Sequence, residues 1–139
     1  MPNRHRSREL AVQFVYQWSL NPCELSEVEA SAGFFWNRQT NLSEENHDYF
    51  LRVAQGTLQK LPEIDAWIEE RLENWKFSRV DKVDLAVLRV ACFELHHEAA
   101  STKADVPVII DEAVEIAKKF GSKDSPSFVN GILDKVTSK

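Results

Sequence analysis

The chain has 139 residues, of which 43% are hydrophobic and 28% charged, with a formal net charge of −5. That length suffices for one domain, residues 1–139, with a core that needs no disulfide or metal, and the acidic balance argues against a general nucleic-acid binder. Four glycines and five prolines leave room for long helices, and no apolar run approaches the roughly 20 residues that span a bilayer.

The charge is unevenly spread. Arg4, Arg6 and Arg8 precede the first acid, Glu9, whereas much of the acid falls in 24–29, 44–48 and 63–73. The basic start does not read as a secretion signal, because Glu9, Gln13 and Gln17 interrupt the apolar stretch behind it. Cys23 and Cys92 make no metal-ligand pattern and read as reduced thiols of a cytoplasmic protein, with Cys92 buried.

Residues 4–20 predict an amphipathic helix with Leu10, Ala11, Phe14, Val15 and Trp18 as its buried stripe. Tyr16 falls outside that stripe, on the side of His5 and Glu9. It either stacks on a base or packs on a neighbouring helix edge. Asn21-Pro22 ends the helix. Glu24–Phe35 predicts a second helix, and Asn37–Asn41 a loop. Ser43 is an N-cap candidate for a helix carrying Phe50, Val53, Ala54 and Leu58. Pro62 starts another, with Ile64, Trp67, Ile68 and Leu72 as core, and Trp75 and Phe77 belong to a short turn closed by Ser78.

Ser78 and Asp81 have the spacing of a capping box. The helix behind them, with Val80, Val83, Val87, Leu88, Val90, Ala91 and Leu95, is apolar over most of its circumference and so is central. Arg89 within it reads as an internal salt-bridge partner. His96-His97 ends this helix, and Glu98–Ala104 is a polar connection. Within Asp105–Lys135 a helix follows with Pro107 at its first position and Gly121 as its stop. Ser125 and Pro126 then supply the N-cap and first residue of the last helix, faced by Phe128, Val129, Ile132, Leu133 and Val136. Asn130-Gly131 inside that helix is costly and reads either as close helix packing at Gly131 with Asn130 bonded to a neighbouring loop, or as a helix start whose free N–H groups lie beside an anionic partner, two readings that are compatible. The alternating pattern of a strand is absent. About seven helices, in two small bundles sharing one core, make an all-α fold.

No phosphate-binding glycine loop, nucleophile elbow, HExxH or Cys–Cys knuckle is present, so nothing supports catalysis, a cofactor or a metal. Three arginines can neutralise a few phosphates, which gives weak, salt-sensitive binding. Composition and motifs therefore describe either a modest RNA binder or one that works with a second protein.

Three blocks, RSRELAVQFVYQW at 6–18, AVLRVACFEL at 86–95 and EAVEIAKKFGSKDSPSFVNGILDK at 112–135, resemble the NusB family in family order. The resemblance implies an all-helical fold of two packed three-helix bundles, and a transcription antitermination factor without enzymatic activity. Its implied partners are single-stranded boxA RNA, the ribosomal protein NusE, and RNA polymerase with other Nus factors, notably during ribosomal RNA synthesis. The family's arginine-rich amino end falls on Arg4, His5, Arg6 and Arg8, with His5 where an arginine is common. Its exposed tyrosine falls on Tyr16, and the acid before the second block falls on Asp84. Tyr16 and Asp84 are implied on the NusE and RNA side. The loop acid and helix aromatic of the last block fall on Asp124 and Phe128, both implied at the RNA. From spacing alone, Phe128 is equally a core residue or a base platform, and Lys119 and Lys123 either extend the basic surface or are simply solvated. Family members are monomers or homodimers in the free state. Two other classes stay open: a purely protein-binding helical adaptor, and the amino-terminal RNA-binding part of a ribosomal RNA methyltransferase.

Overall fold

The computed structural model describes residues 4–39, 42–73, 76–98 and 105–137. Among them lie seven α-helices and no strand: α1 (Arg4–Leu20), α2 (Leu25–Asn37), α3 (Glu44–Gln59), α4 (Leu61–Glu70), α5 (Lys82–Phe93), α6 (Asp105–Phe120) and α7 (Ser125–Thr137). Trp75, residues 40 and 41 of the expected loop, and residues 99–104 of the expected connection lie outside the described residues.

Local chemistry sets the boundaries. Ser43 caps α3, its Oγ accepting from the Asn46 N–H at 3.2 Å while the Asn46 side chain accepts from the Ser43 N–H at 3.3 Å, the reciprocal arrangement of a capping box. Pro62 sits in the first turn of α4, as expected. Ser78 is not a cap, however. Phe77–Arg79 closes into a 3-10 turn, and Asp81 itself caps α5 by accepting from the N–H groups of Val83 and Asp84 at 2.9 and 3.2 Å. Pro107 lies inside the first turn of α6 rather than at its start, where an N–H would still have no helical partner. The Asp124 carbonyl accepts the N–H of Phe128, so Asp124 takes the capping position expected of Ser125. The α-helical part of α5 ends at Phe93, and a wider π-helical turn carries the chain through Glu94–Glu98.

Helix α5 is the axis of the molecule. Every residue from Asp84 to Phe93 is buried, and α1, α3, α4, α6 and α7 all pack on it. Arg89 reaches α4, its Nε and Nη2 each donating to a separate oxygen of Asp65 at 2.9 Å; this is the internal ion pair the sequence predicts. At the far side, α2 seats Phe35 between Phe14 of α1 and Phe50 of α3, with ring centroids 5.6–6.1 Å apart. Each such fully buried aromatic contributes about 1.5–3 kcal/mol through burial and adds edge or stacking attraction. Cys92 is fully buried, and burial pushes its thiol up to about 12, so it is inert packing.

Gly131 does not serve close packing. A Cβ there would meet nothing within 4 Å, and Asn130 is exposed. Gly121 is the crowded one. A Cβ at that position would stand 2.4 Å from Ser125 Oγ and 2.8 Å from the Ala117 carbonyl, so this glycine allows the α6–α7 corner to fold tightly back on itself.

Candidate nucleic-acid interface

The basic amino end expected at Arg4, His5, Arg6 and Arg8 divides into two groups. Arg8 lies one turn before Val12 on the buried stripe of α1, and only 9% of its side chain is exposed. Its Nε donates to both oxygens of Glu94 at 2.9 Å, and its Nη2 to the Tyr49 hydroxyl at 3.1 Å. Tyr49 in turn donates to Glu94 at 2.5 Å. Burial works against the Arg8 charge, but Glu94 outweighs it and holds the guanidinium pKa above its ordinary value. A phosphate contact by Arg8 does not fit this geometry. Burial and the Glu94 carboxylate likewise keep Tyr49 protonated, far above the usual phenol range.

Arg4, His5 and Arg6 remain at the surface. Arg6 donates to Glu9 at 3.0 Å with 37% of its side chain exposed. His5 touches Glu9 through Nε2 at 3.3 Å and Glu112 of α6 through Nδ1. Lys119 near the end of α6 also reaches Glu9, at 3.0 Å, and stays 56% exposed. Burial opposes ionisation of Glu9, but the hydrogen bonds from Lys119 and Arg6 prevail and hold its carboxyl below the usual range. Glu9 is thus the inner anchor of an outer ring of cations. Of the two open readings of Lys119, the one that extends the basic surface agrees with this position.

Sequence reasoning missed Tyr49, Glu94 and Arg52. The Tyr49 ring collects three guanidinium groups, with Arg4 at 5.0 Å, Arg52 at 5.2 Å and Arg8 at 5.6 Å from its centroid. A signal was present in Glu94, an acid in an apolar run, because a buried carboxylate requires a charged partner. Nothing in the spacing named that partner as Arg8.

Asp84, Asp124 and Phe128 gather at the other end of α5. Asp84 is buried, receives a hydrogen bond from Ser125, and has its carboxyl pushed up by burial in spite of that bond. Its Oδ1 has no hydrogen-bond partner among the described residues. Ser125 is 1% exposed and also accepts the Ser122 N–H at 2.9 Å, so the loop carrying Lys123 and Asp124 is fastened to the start of α5. Asp124 is exposed. Phe128 packs partly on the core and also lines a surface cleft of about 200 Å³ with Leu72, Glu73, Gly131 and Lys135. Tyr16 is half-buried against the core.

Among the described residues, no helix is long and apolar enough to cross a membrane.

The profile of the NusB family matches residues 5–138. "Transcription antitermination protein NusB" of Desulfosudis oleivorans is 39% identical over 141 residues, covering 100% of this chain and 88% of that protein. The protein of the same name from Clostridium novyi is 37% identical, covering 94% of this chain and 95% of its own. Among solved structures, T. maritima NusB superposes with a TM-score of 0.83 at 31% identity, covering 98% of this chain and 92% of that one. The NusB chain of a complex of antitermination factors NusB and NusE with double-stranded RNA gives a TM-score of 0.76 at 23% identity, covering 96% of each chain, which is a likeness of fold.

Proposed function

Because this chain belongs to the NusB family, we propose that it is a transcription antitermination factor. In this reading it binds single-stranded boxA-type RNA together with the ribosomal protein NusE and joins RNA polymerase with other Nus factors, notably on ribosomal RNA operons. It acts as one RNA-binding domain over residues 1–139, built as two three-helix bundles, in the cytoplasm and without catalysis. The observation that carries the reading is the family match along residues 5–138, with relatives that bear the antitermination name.

Within it, Arg4, His5, Arg6 and Lys119 form the cationic surface for phosphates. Arg8 acts indirectly, by fixing Glu94 and Tyr49 beneath that surface. Asp124 and Phe128 border the RNA, and Phe128 offers the ring edge that lines its cleft. Tyr16 and Asp84 belong to the NusE side. Asp84 has a carboxylate oxygen without a partner among the described residues, so an incoming N–H or hydroxyl donor would relieve a buried acceptor that is otherwise costly.

A boxA-like single strand, its scrambled counterpart and the corresponding duplex, each titrated by fluorescence anisotropy at two salt concentrations with and without NusE, test the reading. Selective binding of the single strand that NusE strengthens is the expected result. Equal, weak and salt-sensitive binding of all three RNAs would leave only generic electrostatics and favour the protein-binding adaptor. That alternative draws support from the inward turn of Arg8, which removes one cation from the surface.

A further inference from the structure

A cleft of about 280 Å³ opens beside α3, lined by Arg52, Gln55, Gly56, Gln59, Lys60, Phe93 and His97. It is distinct from the cleft of Phe128 and shares only Arg52 with the site described above. Gly56 makes its floor possible. A Cβ there would stand 2.2 Å from the tip of the Phe93 ring, so the absent side chain lets the end of that ring reach the α3 backbone. The His97 ring stacks on Phe93 with centroids 5.3 Å apart and planes 29° apart, which leaves an aromatic wall. Gln55 and Gln59, one helical turn apart on α3, also line it, and their amides offer both donors and acceptors. Among the described residues the lining holds Arg52 and Lys60 but no carboxylate, on a chain whose net charge is −5.

The cleft also continues the basic amino end. Arg4 and Arg52 both lie over the Tyr49 ring, at 5.0 and 5.2 Å, and Arg52 is itself part of the cleft wall. A line of cations thus runs from Arg4 over the buried Tyr49 ring to Arg52 and on to the exposed His97 ring at the pocket. Its volume falls just below the roughly 300–1,000 Å³ of sites for drug-sized ligands, which suits one flat ring system. Alternating cations and aromatic faces are how a protein tracks a single strand, and paired amides read the edge of an unstacked base.

We infer that this cleft is a second RNA subsite, which takes one unstacked nucleobase of the same single strand between His97 and the amides of Gln55 and Gln59, with Arg52 and Lys60 at the adjacent phosphates. The inference rests on the RNA-binding reading above and extends the path of the strand along α3, away from the α6–α7 loop.

The test is a 4-thiouridine scan of the boxA-like RNA, with ultraviolet cross-links to the full chain mapped by mass spectrometry, in the presence and absence of NusE. It is paired with anisotropy titrations of Gln55→Ala/Gln59→Ala and His97→Ala, whose circular dichroism and melting temperature report folding. Cross-links within 52–60 or 93–97 are expected, together with a loss of affinity of about fivefold or more from His97→Ala and none for an RNA shortened to end before the cross-linked position. Selective RNA binding with cross-links confined to other regions, or folded variants with unchanged affinity, would overturn the second subsite and leave the antitermination reading standing. Absence of selective RNA binding by the unaltered protein under either condition would overturn that reading, and this subsite with it. Binding of a protein partner that protects residues 52–60 from labelling while RNA does not would also overturn it.

Discussion

Glu94 and Asp84 stand at opposite ends of α5, and both are buried, yet the chain treats them differently. Glu94 receives a guanidinium and a phenol and is closed off from further chemistry. Asp84 receives one hydroxyl from Ser125 and keeps its Oδ1 without a hydrogen-bond partner among the described residues. A carboxylate satisfied from within fixes helices against each other, here α1 and α3 against the end of α5. A carboxylate satisfied halfway leaves an acceptor that gains from a donor brought by another molecule. The difference is one of supply: the Glu94 end has Arg8 within reach, whereas the groups acting on Asp84 among the described residues are the Ser125 hydroxyl and the neighbouring acid Asp81.

The largest expected effect comes from breaking the satisfied end. Glu94→Ala leaves the Arg8 guanidinium buried without a counter-charge and the Tyr49 hydroxyl without its acceptor, which costs about 3–5 kcal/mol. Urea denaturation should read this as a lower midpoint with an unchanged slope. Replacing both partners, Arg8→Met with Glu94→Leu, should recover most of that loss, because two well-packed apolar groups leave no orphaned charge. The double variant also isolates function: if its RNA affinity stays near that of the unaltered protein, Arg8 supports the surface rather than contacting phosphate.

At the other end, Gly121→Ala drives a methyl group into Ser125 and the Ala117 carbonyl. The backbone cannot yield cheaply, so the loop that carries Ser125 must move, at a cost of about 1–3 kcal/mol. The same shift weakens the single hydrogen bond to Asp84. Gly131→Ala meets only open space and should instead stabilise α7 by up to about 1 kcal/mol. Thermal melts of the two variants should therefore move in opposite directions.

Much of this architecture was legible in the sequence, and the reasons differ by element. Ser43 and Pro62 announce their helices because capping is a local event, decided within one turn. Arg89 reads correctly as an internal partner because a charge on an all-apolar helix has no solvent to face. Arg8 was harder. It shares a stripe with Val12 and Val15, but the run of cations at Arg4, Arg6 and Arg8 suggests one exposed patch, and its acceptor Glu94 is distant in sequence. The open setting of Gly131 was illegible for a related reason, since whether a neighbour stands where a side chain is missing depends on tertiary packing that periodicity does not supply. Ser78 misled because its spacing to Asp81 mimics a cap, while Asp81 makes the cap on its own.

Acidity separates the half-satisfied acid from a paired one without altering the core. Burial, helped by the Asp81 charge and opposed by Ser125, raises the carboxyl pKa of Asp84. Its contribution to stability is full below the ordinary carboxylate range and is lost as pH rises through the raised value. Glu9 behaves in the opposite sense. Its folded pKa is lowered, so its contribution is present above the ordinary range and is lost as pH falls through the lowered value. Denaturation midpoints between about pH 3 and pH 7 should therefore show Asp84→Asn gaining on the unaltered protein as pH rises. Glu9→Gln should be the weaker protein at neutral pH and converge on the unaltered one in acid. Parallel curves would mean that neither acid changes its proton affinity on folding.

The smallest effect belongs to Asp124, which shares its corner with Asp84 but is exposed. At the capping position of α7 an Asn serves about as well as an Asp, and an exposed charge contributes little to folding. Beside an RNA strand the same charge repels phosphate, so Asp124→Asn should tighten RNA binding severalfold while leaving the melting temperature unchanged. The gain must shrink as salt rises, because screening at about 8–10 Å removes repulsion between exposed charges. A gain that persists undiminished in high salt would point to a new amide hydrogen bond rather than to relief of repulsion. Unchanged or weaker affinity would place the strand away from this loop, and the basic surface of Arg4, Arg6 and Lys119 would then have to carry the RNA toward α3 alone.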